Sequence, residues 1–62
     1  MKRAGLDIGS TTVKAAVIGE NDELLYSQYR RHFSDIRKTV FDIISELGEH
    51  FKGERMMIAV TG

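Results

Sequence analysis

The sequence predicts an α/β fold: a three-stranded antiparallel meander, a crossover helix, and a parallel fourth strand, in the sheet order 3-2-1-4. Three observations carry this. Three β-rich segments, 4–8, 12–18 and 24–31, are separated by two clusters of turn-forming residues. Ile36, Val40, Ile43, Ile44, Leu47 and Phe51 then recur along one stripe of helical period within 35–51. A last apolar run, 55–60, follows that helix, and a strand–helix–strand crossover within one sheet is nearly always right-handed and parallel.

In chain order, Ala4, Leu6 and Ile8 share one face of the first strand and Gly5 and Asp7 the other. The second strand, Thr12 to Ile18, is β-branched and apolar apart from Lys14. Gly19, Glu20, Asn21 and Asp22 form the next turn, and Leu24, Tyr26 and Gln28 alternate against Leu25, Ser27 and Tyr29 in the third strand. The basic run Arg30, Arg31 and His32 reads as a solvated strand exit. Ser34 suits a helix N-cap, with Asp35 as the first helical residue, favourable against the dipole. Gly48 ends or frays the helix in one version and Gly53 stops it in the other, and Phe51 on the stripe favours the longer one, about 35–51. Five consecutive apolar residues from Met56 to Val60 predict a strand covered on both faces, its second cover missing from these 62 residues, with Met56 and Met57 as core fillers and Tyr26 and Tyr29 as packing residues.

Length and charge bound the function. A chain of 62 residues is one small domain, residues 1–62, and buries only about 60% of its unfolded surface. With no cysteine it has no disulfide and no thiolate metal site. Nine basic residues balance nine acidic ones, so no net field recruits nucleic acid or an anionic membrane. No apolar run is long enough to span a bilayer, and Met1, Lys2 and Arg3 lead within four residues to Asp7 rather than into the apolar block of a signal peptide. A cytoplasmic protein is expected. The run into Val60, Thr61 and Gly62 reads as a strand handing over to a loop, so the chain is expected to be the first piece of a longer protein.

The stretch that carries chemistry is 4–14, where an apolar strand bearing Asp7 breaks at Gly9 into Ser10, Thr11 and Thr12 and resumes as a strand bearing Lys14. Gly9 lets backbone amides approach an anion, and a Cβ there is expected to block both turn and ligand. The three hydroxyl residues add donors and Lys14 adds a full positive charge. Asp7 is the candidate catalytic carboxylate and metal ligand, holding a divalent cation or its water shell against phosphates. The predicted strand order brings Thr61 and Gly62 to the same sheet edge, where Gly62 is a further candidate for ligand contact. An ordinary hairpin with Asp7 as a local acceptor uses the same residue types, so the residues alone leave both readings open. The loop is neither a P-loop nor a dinucleotide fingerprint, since both of those lead into a helix.

Asp7-Ile8-Gly9-Ser10-Thr11-Thr12-Val13-Lys14, together with Tyr29-Arg30-Arg31-His32-Phe33-Ser34-Asp35-Ile36-Arg37-Lys38-Thr39, resembles the activators of 2-hydroxyacyl-CoA dehydratases and the ATPase subunits of benzoyl-CoA reductase. These belong to the actin, sugar kinase and heat-shock ATPase superfamily. The resemblance spans the whole chain and implies a ribonuclease H-like partial subdomain. It further implies an activase that couples ATP hydrolysis to electron transfer into a 2-hydroxyacyl-CoA dehydratase, as a homodimer with a bridging 4Fe-4S cluster. On that reading Asp7 faces Mg2+, Gly9, Ser10, Thr11 and Thr12 wrap the phosphates of ATP or ADP, and Lys14 is their charge partner. The second phosphate loop, the adenosine pocket and the cluster cysteines then lie outside the chain, and the 62 residues alone are expected to be inactive as an ATPase. A sugar or small-metabolite kinase of the same superfamily and a non-catalytic, nucleotide-clamped assembly module are the alternatives.

Overall fold

The computed structural model describes all 62 residues. Strands β1 (Lys2–Ile8), β2 (Thr12–Ile18), β3 (Leu24–Arg31) and β4 (Met56–Thr61) form one mixed sheet in the order β3-β2-β1-β4, with helix α1 (Ile36–His50) between β3 and β4. β1 pairs antiparallel with β2 and parallel with β4, and β2 pairs antiparallel with β3. The expected topology is therefore the observed one.

The period of two decides which residues meet α1. Ala4 and Leu6 on β1, and Val13, Ala15 and Val17 on β2, close against Ile43, Leu47 and Phe51 on and just past the helix. Burying such side chains contributes about 1.5–3 kcal/mol each. The core is small because one helix lies over the middle of the sheet. Tyr26 joins its edge, with its ring 6.0 Å from that of Phe51.

Several local expectations change. β1 starts at Lys2 rather than Ala4, because Lys2 and Arg3 gain partners in Met56 and Met57 of β4. The N-cap is Asp35 rather than Ser34: its carboxylate accepts from the Lys38 amide at 3.2 Å, while Ser34 sits at φ 66°. The helix does run through Gly48, as expected of the longer version, and ends at His50, held by Leu47 and Phe51 in the core, with the left-handed conformation at Gly53. β4 lacks its second cover, as expected, and α1 covers it only in part. Met56 packs at the core margin, whereas Met57, Ile58 and Val60 are 60%, 42% and 52% exposed. Tyr29 is also exposed, so neither Met57 nor Tyr29 is a packing residue.

The basic run at the end of β3 is not uniformly solvated. Arg30 leans across to Glu46 of α1 at 2.6 Å, and this bond holds the Glu46 carboxyl below the usual carboxylate range. His32 is buried, at 5% exposure. No helix is long and apolar enough to cross a membrane.

Candidate functional site

The face of the sheet away from α1 is built by the other half of each strand's alternation. Register places one row of side chains across four strands, Tyr29, Lys14, Asp7 and Thr61, with Lys14 opposite Tyr29 and Asp7 opposite both Lys14 and Thr61. A second row, Ser27, Ala16, Gly5 and Ala59, carries only small side chains. The result is an open trough of about 820 Å³ with the Tyr29-to-Thr61 row as its polar wall.

Asp7 and Lys14 thus project to the same side, as paired neighbours on adjacent antiparallel strands. No ion pair joins them, and neither is engaged by any other charge of the chain. Some other charges of the protein find partners, while Arg31, Arg37, Lys52, Arg55, Glu23, Asp35 and Glu49 also have no ion pair. Arg3 meets Asp22, Lys2 meets Glu54 and Lys38 meets Asp42. One carboxylate and one ammonium held side by side, each free to take a further partner, suit a ligand that carries both anionic oxygens and a cation.

The turn above this row is closed by a single internal bond, from the Gly9 amide to the Thr12 carbonyl at 2.7 Å. The amides of Ser10 and Thr11 donate to nothing within the chain, and both residues are exposed. Gly9 departs from its predicted role. Its φ is not positive, and a Cβ there would stand 3.4 Å from the Thr12 carbonyl oxygen, an ordinary contact. The turn itself therefore does not require glycine, and any such requirement comes from what approaches it. Thr12 lies beside Gly9 at the start of β2.

Gly62 does reach this end of the sheet. A Cβ on it would fall 2.7 Å from the Ile8 carbonyl oxygen, so the chain after β4 is pressed against the last residue of β1. Thr61 donates its hydroxyl to the Leu6 carbonyl at 3.4 Å. Asp7, Lys14 and Thr61 line the trough, while Gly9, Ser10, Thr11, Thr12 and Gly62 form its upper rim outside the lining itself. The predicted site residues are gathered at one end of the sheet, in two layers rather than one pocket.

His32 belongs to this end and was not among the predicted site residues. Its Nε2 lies 3.1 Å from the Gly9 carbonyl, its Nδ1 accepts from the Ser34 amide at 3.0 Å, and its own amide donates to the Thr11 carbonyl at 3.0 Å. The signal was topological: in an antiparallel meander Thr12 stands opposite Arg31, which sets the next residue of the third strand beside the turn. Spacing to a second histidine or cysteine, the criterion for a metal ligand, gives no hint of this.

Of the groups implied by the resemblance, Mg2+ fits the residues present. Asp7 is a single free carboxylate and no cluster of three acidic, histidine or cysteine side chains exists, which matches a cation that keeps most of its water and takes its remaining ligands from phosphate. A 4Fe-4S cluster does not fit these 62 residues, which contain no thiol. Comparisons of the chain with protein-family models and with curated proteins return no match.

Proposed function

We propose that this chain forms the first phosphate-binding wall of an ATP site, in a protein of the activase type that couples ATP hydrolysis to electron transfer into a 2-hydroxyacyl-CoA dehydratase. The observation that carries the nucleotide reading is the free Asp7 and Lys14 pair, set directly below a turn whose Ser10 and Thr11 amides have no partner in the chain. The activase reading rests on the sequence wording of residues 7–14 and 29–39.

Each residue has a separate task. The Ser10 and Thr11 amides and the hydroxyls of Ser10, Thr11 and Thr12 donate to phosphate oxygens, and Lys14 balances their charge. Asp7 holds Mg2+ or its water shell, which when bound neutralises charge developing on the transferred phosphoryl group. Nothing among these groups positions an attacking water, so the 62 residues bind without turning over. These 62 residues include no thiol to hold an iron–sulfur cluster.

Isothermal titration of the 62-residue chain with Mg·ADP tests the reading. Asp7→Ala is expected to weaken binding by about tenfold or more, the worth of one charged interaction, and to leave the thermal midpoint unchanged. Equal affinity of wild type and Asp7→Ala refutes the assignment. Phosphate release from Mg·ATP by the same chain is expected at background level.

A further inference from the structure

His32 is the one polar side chain whose ring bridges two loops from a buried position. All of its polar groups are engaged. Besides the three bonds at the turn and Ser34, its carbonyl accepts from the Asp35 amide at 2.7 Å, which ties it to the helix cap. The tautomer follows from the partners. Ser34 N–H is a donor only, so Nδ1 carries no proton, and Nε2–H donates to the Gly9 carbonyl, an acceptor only.

The bond to Gly9 replaces one that a tight hairpin would make for itself. A two-residue hairpin loop ordinarily closes with a reciprocal pair, but here only Gly9 N–H to Thr12 C=O is formed, and Thr12 N–H does not return to Gly9. The Gly9 carbonyl is satisfied by His32, the residue just past β3, instead. If burial were the only requirement, an apolar ring would fill the place without desolvating two nitrogens. The polar ring is explained by what its two nitrogens hold: the turn on one side, and on the other the segment Phe33–Ser34, whose φ values of 49° and 66° are uncommon for non-glycine residues.

We infer that His32 is the positioning residue of the Gly9–Thr12 turn, holding the Gly9 carbonyl through Nε2–H so that the Ser10 and Thr11 amides stay fixed and free for a phosphate. This rests on the nucleotide reading for the identity of the ligand, whereas the fixing of the turn is a property of the chain alone. Two near-isosteric variants separate the two nitrogens. His32→Gln keeps an N–H near the position of Nε2 and loses the acceptor for Ser34. His32→Asn keeps an acceptor near Nδ1 and loses the bond to Gly9.

The experiment combines 15N relaxation with titration by Mg·ADP. In wild type and His32→Gln, order parameters at Ser10 and Thr11 are expected near 0.85, and in a folded His32→Asn below about 0.6. Mg·ADP affinity is expected to fall about fivefold in His32→Asn, the worth of one ordinary hydrogen bond, and to be restored in His32→Gln. Unchanged order at Ser10 and Thr11 in folded His32→Asn overturns the inference. Should neither variant fold, the wild-type imidazole decides: 15N shifts at about pH 8 must report the Nε2–H tautomer, and the Nδ1–H tautomer overturns it. Absence of Mg·ADP binding by wild type removes the nucleotide reading and leaves the relaxation result to judge His32.

Discussion

The two hairpin turns of this sheet lie at opposite ends of β2 and treat their polar groups in opposite ways. The Gly19–Glu23 turn makes three internal bonds: Gly19 N–H to the Glu23 carbonyl at 2.9 Å, Asp22 N–H to the Gly19 carbonyl at 3.1 Å, and Asn21 N–H to the Glu23 carboxylate at 3.1 Å. Ion pairs then cover it, from the N-terminal ammonium to Glu20 and from Arg3 to Asp22. The Gly9–Thr12 turn has one internal bond, no ion pair, and one buried imidazole holding it from outside. What separates the two turns is how they are held: three internal bonds and ion pairs at one, a single internal bond and an imidazole from outside at the other.

The strongest way to break this comparison is His32→Ala. Removing the ring orphans the Gly9 carbonyl and the Ser34 amide and leaves a void, so a loss of about 2–3 kcal/mol is expected in urea unfolding. A loss below about 0.5 kcal/mol, the level of an ordinary surface change, means that the turn does not depend on the imidazole.

Gly9→Ala is next in size and acts on the ligand alone. The fold has room for the methyl, so the thermal midpoint is expected to hold, while Mg·ADP affinity falls about tenfold as the Cβ meets the approaching phosphate. Undiminished affinity would show that no ligand approaches Gly9 closely.

At the other turn, Arg3→Ala removes an exposed pair with Asp22 and is expected to cost at most about 1 kcal/mol, with the difference vanishing in high salt and Mg·ADP binding untouched. Any effect on binding would break the separation of the two ends.

The smallest effect is a pH dependence. The N-terminal ammonium bonds Glu20 and holds its carboxyl below the usual range. A folded value lowered in this way adds stability that is complete above the unfolded glutamate value and lost as pH falls through the lower folded one. Thermal midpoints measured across the acid range should drop slightly less in Glu20→Gln than in wild type.

The fold was legible because each segment obeys one period and only one connection is long. β2 and β3 match their predicted bounds, and the crossover rule placed β4 beside β1. The burial of β4 was legible in part: its missing second cover was expected, but not the exposure of Ile58 and Val60 on the side of Ala4 and Leu6. Five apolar residues in a row are consistent with two covers, yet whether a cover exists depends on what else packs there, and α1 alone covers neither face fully. The capping error at Ser34 has a local cause: Ser34 adopts φ 66° to present its amide to His32, which hands the cap to Asp35. For the site, residue type and spacing gave Asp7, Lys14 and the turn, and register brought them together. His32 lies 23 residues from Gly9 in sequence, so only the meander reveals their contact.

The parallel pairing of β1 with β4 has a consequence for synthesis on the ribosome. Of these four strands β1 is made first and β4 after the other three, with the Thr61 to Leu6 bond spanning 55 positions. β1, β2 and β3 can pair as they emerge, but β1 keeps one edge unpaired until Met56–Thr61 arrives. Chain entropy rises only logarithmically with such a span, so the delay is set by translation more than by loop closure. The strand that presents Asp7 therefore gains its second neighbour only when β4 is made, and the nascent meander keeps that edge of β1 open until then.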